Sequence, residues 1–389
     1  MNEQNKKVPT VRFKGFTNDW EQQKLGDFGS VAMNKRIFKK QTTEVGDVPF
    51  YKIGTFGKKP DAYISNELFE EYKSKYPYPK EGDLLISASG SIGRIVEYKG
   101  QKAYYQDSNI VWLKHNDQLN NLFLKAFYQI VKWDGTEGST IKRLYNKNIL
   151  RTRIFLPTTL EQEKVGNIIE CIERLLALQQ RKLDLLKQFK KGLLQKMFAD
   201  KDSKRPVLRF KGFHDDWEQR KVSDIFTVTR GQVLATTKIS EVKTNEMCFP
   251  VYSSQTKNNG LMGYYNKYLF NTAITWTTDG ANAGTVNYRE GKFYSTNVNG
   301  VLLSDDGYAN KAIAEILDRV AWRHVSRVGN PKLMNNVMSN IKISIPSSFE
   351  EQNAISEFLI KFDHLIVLHQ RKQNHLKLLK KSLLQQMFM

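Results

Sequence analysis

LEQEKVGNIIECIERLLALQQRKLDLLKQFKKGLLQKMF is the sequence of residues Leu160–Phe198. Its apolar residues recur in alternating steps of four and three, at Val165, Ile169, Ile172, Leu176, Leu183, Leu186, Leu193 and Met197. This spacing predicts one long helix with a narrow coiled-coil seam, which only Gln179 and Lys190 interrupt. At 1.5 Å per residue the helix is roughly 57 Å long, too long to be enclosed by one globular domain.

The same helix occurs again at the end of the chain, in residues Phe349–Phe388. The Gln-Arg-Lys at 180–182 returns at 370–372, and the Leu-Leu-Gln at 193–195 returns at 383–385. The second seam consists of Ile355, Leu359, Phe362, Ile366, Leu376, Leu383 and Met387. Two matching seams predict an antiparallel coiled coil within the chain, and pairing between two chains is the alternative.

A second repeat precedes each helix. Residues 9–24, PTVRFKGFTNDWEQQK, return as residues 206–221, PVLRFKGFHDDWEQRK, with 11 of 16 residues identical. The chain is therefore two tandem copies of a globular region followed by a long helix, with predicted boundaries 1–158, 159–199, 200–347 and 348–389. Trp20 and Trp217 are predicted to be packed anchors rather than base-stacking residues.

The connection between the two copies is short. Residues 199–205, ADKDSKR, are charged and lack apolar anchors, and extended chain spans at most about 3.6 Å per residue. The connection therefore cannot return along the helix, and the second globular region must begin near the helix's far end. With antiparallel helices, the globular regions are predicted at opposite ends of the rod, related by a pseudo-twofold rotation.

The composition favours a polyanionic partner. Sixty Lys and Arg against 40 Asp and Glu give the 389-residue chain a formal charge of +20. Nucleic acid is the usual partner for such a surplus; the alternatives are a generally basic surface, or a basic patch for an acidic protein or a membrane. Cys171 and Cys248 lack zinc-type spacing, and Cys171 is predicted to be buried beside the seam. Without an apolar leader or an 18-residue apolar run, the chain is expected in the cytoplasm.

Each globular region is predicted to be mixed α/β. The predicted elements are strands at Val48–Ile53 and Asp83–Ser87 and helices at Asn120–Trp133 and from Asn310 onward. The segment Leu85–Gly93 aligns with Ile274–Gly284. In both, a strand enters a glycine-containing turn, and a second strand is expected to end near Tyr98 or Tyr288.

The repeated motifs resemble those of a known family. The Arg-Phe-Lys-Gly-Phe…Asp-Trp-Glu openings (12–21 and 209–218), the Glu-Gln helix starts (161–162 and 351–352) and the Leu-Leu-Gln helix ends closely resemble the specificity subunit of type I DNA restriction–modification enzymes. The resemblance covers essentially the whole chain. It implies an α+β fold in which two mixed α/β target recognition domains are separated by two long helices paired as an antiparallel coiled coil. Each domain would read one half of a bipartite, asymmetric site on double-stranded DNA.

The resemblance also implies partners. In that family the helices dock two methyltransferase (modification) subunits, and restriction/translocase subunits join the assembly. S-adenosylmethionine, ATP and magnesium are therefore expected on partner subunits, and no cofactor is expected in this chain. Because the globular regions have diverged while the helices agree, the two DNA half-sites should differ.

The polar loops supply the candidate DNA-binding residues. Direct readout needs Arg or Lys for guanine and Asn or Gln for adenine, while hydroxyl and basic groups bind phosphate. In the first region the candidates are Lys35, Arg36, Ser87, Ser89, Ser91, Arg94, Thr140, Lys142, Arg143, Asn146 and Lys147. In the second they are Arg230, Ser254, Gln255, Lys257, Asn258, Thr277, Thr278, Asn282, Arg327, Asn330 and Lys332. The exposed helix positions Leu175, Leu178, Leu365 and Leu368 are predicted to dock partner subunits.

Catalytic motifs are missing from the sequence. It has no GxxxxGK[ST] loop for ATP, no Asn/Asp-Pro-Pro-aromatic run of an aminomethyltransferase and no His/Cys spacing typical of a metal site. We therefore predict neither catalytic nor metal-binding residues. Two rival hypotheses remain: a coiled-coil adaptor whose globular ends bind proteins or RNA, and a self-sufficient nuclease that would cut DNA with a metal ion.

Overall fold

The computed structural model describes residues 8–133, 143–199, 203–254 and 257–388. These form two compact units. The first unit combines Met1–Arg181 with Arg371–Met389, and the second is Lys182–Gln370. Each unit thus contains one globular region and a part of both long helices. The division into four domains stays a prediction.

The first globular region is built from short strands and helices that precede the first long helix. The strands are β1 Glu21–Lys24, β2 Gly29–Ala32, β3 Val48–Tyr51, β4 Tyr63–Ile64, β5 Leu84–Ser87, β6 Ile95–Glu97, β7 Tyr104–Tyr105, β8 Ile110–His115 and β9 Arg153–Leu156. The helices are α1 Asn66–Lys75, α2 Asn121–Tyr128, α3 Asn146–Arg151 and the long α4 Thr159–Met197. The sheets have the orders β2-β8-β5-β6, β4-β3-β7 and β1-β9.

The second globular region has a larger sheet. Its strands are β10 Glu218–Lys221, β11 Thr227–Arg230, β12 Phe249–Tyr252, β13 Leu261–Tyr265, β14 Phe270–Thr277, β15 Val286–Ser295, β16 Asn299–Leu303 and β17 Lys342–Ile345. Its helices are α5 Val222–Ile225, α6 Lys311–Ala321, α7 Asn335–Ser339 and the long α8 Phe349–Gln386. The main sheet has the order β11-β16-β14-β15-β12-β13, and β10 pairs with β17.

Within each unit the two long helices run antiparallel. In the first unit Ile169, near the start of α4, and Met387, just after α8, belong to one buried core. In the second unit the opposite ends meet: Met197, at the end of α4, shares a core with Ile355, near the start of α8. The predicted antiparallel pairing within one chain is confirmed.

Two polar residues that occupy seam positions, Gln373 in the second long helix and Lys190 in the first, have partners on the other helix. Gln373 is 3% exposed and donates from Nε2 to Gln180 Oε1 at 2.6 Å in the first unit. In the second unit Lys190 Nζ lies 2.6 Å from Asp363 Oδ1. A buried polar group at a seam, such as the Gln373 amide, favours one helix register, because slippage would leave that group without its partner.

The repeated opening motif holds each globular region to its helix. Arg12 binds Glu161 through two hydrogen bonds, of 2.6 and 2.8 Å. In the second copy Arg209 binds Glu351 through two bonds of 2.7 Å. Both carboxylate side chains are only 1% exposed. The motif therefore has a structural role, since each Arg neutralises a buried helix-start carboxylate.

The two repeated tryptophans are packed anchors, as predicted. Trp20 is 1% exposed and makes edge contacts with Phe123 and Phe388. Trp217 is 4% exposed and makes the equivalent contact with Phe198. Each tryptophan therefore lies against the aromatic residue that follows the end of a long helix.

Three sequence predictions need correction. Asn120, one of two asparagines at the predicted helix start, caps α2, but the helix ends at Tyr128 rather than Trp133, because the following residues turn to pack against the core. Strand β15 continues past Tyr288 to Ser295, since it pairs with both β14 and β12. Cys171 is exposed, because it lies one position off the seam on the outer face. Among the described residues, none of the helices has both the length and the apolar character needed to cross a membrane.

Candidate nucleic-acid interface

In the first unit a tight turn follows the central strand β5. Gly93 N donates to Ser87 O at 2.9 Å, and Ser87 N donates to Arg94 O at 2.9 Å. Gly90 and Gly93 have φ of 65° and 79°, values that glycine adopts without a Cβ penalty. The Ser87 hydroxyl accepts from Arg94 N at 2.8 Å and donates to Ser91 O. Ser87 is therefore buried and shapes the turn, while Ser91 and Arg94 are exposed at its tip.

A polar cluster lies beside this turn. Ser89 forms an isolated β-bridge with Arg143, and its Oγ donates to Asn109 Oδ1 at 2.8 Å. Arg143 Nη2 donates to Asn109 Oδ1 at 3.1 Å and to Ser108 Oγ at 3.2 Å. Within the described part of the chain, only neutral groups bind this guanidinium. Its charge therefore stays available to an external acceptor.

The second unit builds the same turn after β14. Gly284 N donates to Thr277 O at 2.9 Å, and Thr277 N donates to Thr285 O at 3.0 Å. Gly284 has φ of 86°. Thr277 and Thr278 are 6% and 0% exposed, and Thr278 Oγ1 donates to Val298 O at 2.9 Å. These two threonines, like Ser87, are used inside the protein.

The neighbouring bridge is also repeated, with different side chains. Asp279 forms an isolated β-bridge with Lys332, and Lys332 Nζ lies 3.8 Å from Asp279 Oδ1. The next backbone bond matches too: Leu333 N donates to Thr278 O at 2.8 Å, as Leu144 N does to Ala88 O. The two units thus present different donors and acceptors on one backbone frame.

The other first-region candidates either contact nearby side chains or are exposed. Arg36 Nε lies 2.7 Å from Asp107 Oδ2, and Asp107 directly precedes the polar pair Ser108 and Asn109. Lys35 Nζ lies 4.9 Å from the centre of the Tyr76 ring. The structure also places Arg94, Asn146 and Lys147 at exposed positions.

The second-region candidates form two groups. Asn282 Nδ2 donates to Ser254 O at 3.3 Å, so the turn contacts the segment after β12. Arg327 and Asn330 are exposed in the loop that the Ser326–Lys332 bridge closes. The remaining candidates Arg230 and Asn258 are also exposed. Thr140, Lys142, Gln255 and the side chain of Lys257 lie outside the described residues.

Some residues of these sites escaped the sequence analysis. Ser108 has φ of 43°, an uncommon value for a residue with a side chain. This conformation positions the neighbouring Asn109, and no sequence pattern marks it. Asp279 was missed because its role depends on the bridge to a distant lysine. In the described part of the chain, no group of three or more His, Cys, Asp or Glu residues could hold a metal ion.

The long helices expose apolar side chains. Leu175 and Leu178 are 42% and 61% exposed, and Leu365 and Leu368 are 38% and 50% exposed. Each pair is spaced by three residues, so both members lie on one helix face. Their use in docking stays a prediction.

The chain matches known proteins along most of its length. The family model for the type I restriction modification DNA specificity domain matches residues 17–188 and 214–378. A Haemophilus influenzae protein named as a type I restriction enzyme specificity subunit is 58% identical over 152 residues, which span 39% of this chain and 40% of that protein. A Mycoplasma pneumoniae protein named as a type I specificity subunit is 31% identical over 229 residues, 58% of this chain and 80% of that protein.

The fold has a solved counterpart. The S subunit of a type I restriction–modification system from M. genitalium superposes with a TM-score of 0.71 and covers 98% of this chain and 99% of that one, at 16% identity. At this identity the likeness concerns the fold alone. The two family matches coincide with the two copies of the turn and its polar cluster. The chain therefore belongs to the type I restriction–modification DNA specificity family.

Proposed function

We propose that this chain recognises double-stranded DNA for a type I restriction–modification complex, with each unit reading one half of a bipartite, asymmetric site. One observation carries the proposal. The same glycine-containing turn and bridge occur in both units, yet Ser89 and Arg143 in one are replaced by Asp279 and Lys332 in the other. One frame with two sets of polar groups suits two different half-sites.

The chemistry of these groups fits base and phosphate contacts. Arg143 is able to donate to guanine, and Asp279 to accept from the cytosine amino group. Exposed Ser91 and Arg94 suit phosphate contacts in the first unit, and exposed Lys332 suits one in the second. The formal charge of +20 would support binding through release of counterions from DNA.

Burial divides the candidates by role. Ser87, Thr277 and Thr278 have their hydroxyls or backbone engaged within the turns. We assign these three to shaping the turns, and the exposed residues around them to DNA contact. The glycine-containing turns would allow the backbone to approach the duplex closely.

The proposal includes partners and location. The exposed leucines at 175, 178, 365 and 368 would dock two modification subunits. Restriction/translocase subunits would join the complex through those modification subunits. Chemistry would then belong to those partners, which would hold S-adenosylmethionine, ATP and magnesium, while this chain acts without catalysis in the cytoplasm. The pseudo-twofold arrangement predicted from the repeats would suit two copies of one partner.

Methylation mapping tests the proposal. Cells carrying the chain with its modification subunits should methylate one bipartite sequence. Arg143→Gln should relax or change only one half of it, and Asp279→Asn only the other half. Loss of a base contact costs about 1–3 kcal/mol of discrimination. Arg151→Gln is the matched control, because Arg151 is an exposed arginine at the end of α3.

Four results would oppose the proposal. In one, both variants change both halves equally. In another, neither alters the methylated sequence. Binding of RNA in preference to duplex DNA by the purified chain would favour the adaptor hypothesis, and metal-dependent cleavage by the chain alone would favour the nuclease hypothesis.

A further inference from the structure

A buried arginine lies in the second unit, on the strand that follows the glycine-containing turn. Arg289, on β15, is 6% exposed. Its Nε donates to Thr275 Oγ1 at 3.2 Å and its Nη2 donates to Asn259 O at 2.7 Å. The guanidinium carbon lies 3.8 Å from the centre of the Tyr252 ring. These contacts fix the orientation of the guanidinium, which borders a cavity.

The cavity is polar. It has a volume of about 150 Å³, and its walls include Ser254, Thr277, Asn282, Asn287 and Asn299 beside Arg289. One water needs only ~10–15 Å³ of such space, so a group of about five heavy atoms fits. Hydroxyl and amide groups can donate hydrogen bonds to an oxyanion from several directions.

The charge of this cavity is not balanced. Arg289 is its charged wall residue, and no Asp or Glu oxygen among the described residues forms an ion pair with it. Burial lowers the pKa of Arg289 to about 10, so the group remains charged at neutral pH. A buried charge is unfavourable unless it is paired. The contact with Tyr252 offsets part of the cost, and an anion in the cavity would offset more.

We propose that this cavity binds a phosphate group. A cation is excluded by the charge of Arg289, and a nucleobase would find no aromatic wall residue on which to stack. The phosphate group comes either from the DNA backbone or from a free phosphate ion. Only the DNA source rests on the proposed function. Thr277 and Asn282 line the cavity and belong to the turn, so an occupied cavity would fix the turn that faces DNA.

The first experiment uses inorganic phosphate and the full chain. Phosphorus NMR line broadening should show binding at constant ionic strength, and phosphate at ten times its Kd should lower the unfolding equilibrium constant about 11-fold. Arg289→Gln should abolish both effects. Lys292→Gln should keep both effects. This substitution removes the same charge from the same strand, but Lys292 is exposed.

A second variant guards against misfolding of the first. Thr285 is exposed at the cavity and no side-chain hydrogen bond of it is described, so Thr285→Glu should fold normally yet repel phosphate. Loss of broadening in this variant, with an unchanged melting temperature in chloride, supports the cavity. Equal broadening by wild type, Arg289→Gln and Thr285→Glu overturns it.

Duplex DNA separates the two sources. If the phosphate is part of DNA, phosphate ions should compete with a duplex of about 30 base pairs. Arg289→Gln should then reduce the slope of the logarithm of the duplex binding constant against the logarithm of the salt concentration by about one, the value of one phosphate contact. If the ion is free, duplex binding should be unchanged by the variant while phosphate binding is lost. Duplex binding without any phosphate effect overturns the inference but leaves the proposed function intact. Phosphate binding without duplex binding overturns the proposed function but leaves the phosphate site intact.

Discussion

Removing Arg12 should expose how the repeated motif stabilises each unit. Arg12→Met leaves the Glu161 carboxylate, which is 1% exposed, without its cation. Breaking a buried ion pair by removing one partner costs about 3–5 kcal/mol. Arg12 itself is 14% exposed, so Glu161→Gln leaves a cation that water still reaches. We therefore expect Arg12→Met to cost more than Glu161→Gln.

The repeat supplies the matched experiment. Arg209 binds Glu351 with the same geometry and is 13% exposed, so Arg209→Met should have the same cost in the second unit. Hydrogen exchange followed by mass spectrometry reports each unit separately. Peptides from β1 and β9 should lose protection in Arg12→Met, and those from β10 and β17 in Arg209→Met.

A double variant tests the physical cause. Arg12→Met combined with Glu161→Gln removes the buried charge, so it should be more stable than Arg12→Met alone. The reasoning is refuted if Arg12→Met costs less than about 1 kcal/mol, the range of exposed pairs. It is also refuted if the double variant is the least stable of the three.

Three further outcomes follow from the helices. Leu178→Asp should change stability by less than about 0.5 kcal/mol, because the side chain is exposed, yet weaken co-purification with modification subunits at least about tenfold. Phe388→Ala should destabilise the first unit, and Phe198→Ala the second, by about 3–5 kcal/mol in urea denaturation. The hydrogen bond from Lys125 lowers the pKa of Glu170, so its stabilisation is present above the unfolded pKa near 4.5 and is lost as pH falls through the folded value. Lys125→Met should therefore flatten the fall in stability below pH 4.5, measured by calorimetry.

Two of these outcomes have a control variant, and the third has a result that would contradict it. Val45→Asp, in an exposed loop, should leave co-purification unchanged, and equal loss in both variants would contradict docking at Leu178. Lys132→Met removes an exposed lysine, so the fall in its stability below pH 4.5 should match that of the wild type. A Phe388→Ala effect below about 1 kcal/mol would mean that this side chain does not complete the core.

The long helices could be predicted from the sequence, while several details of the turns could not. A seam repeated in steps of four and three fixes a helix and its buried face, because one side must be covered along its whole length. Ser87 and Ser89 both carry hydroxyls in a polar loop, yet only Ser87 points inward. That difference follows from the β5 register and from positive φ at Gly90 and Gly93, which sequence periodicity does not specify. Arg289 lies in a strand that contains none of the binding residues predicted from the sequence, so its role at the cavity could not be predicted.

The two copies differ in a way that separates framework from recognition. Arg12 and Arg209, like Trp20 and Trp217, are identical in the two copies, and their contacts join a globular region to its helices. At the bridge beside the turn, by contrast, the backbone bonds are kept while the side chains change from neutral and basic (Ser89, Arg143) to acidic and basic (Asp279, Lys332). A backbone frame that tolerates such changes lets specificity vary without loss of stability, since exposed polar substitutions usually alter stability by less than about 0.5 kcal/mol. Combining Ser89→Asp with Arg143→Lys should therefore leave the first unit folded while altering the sequence it reads.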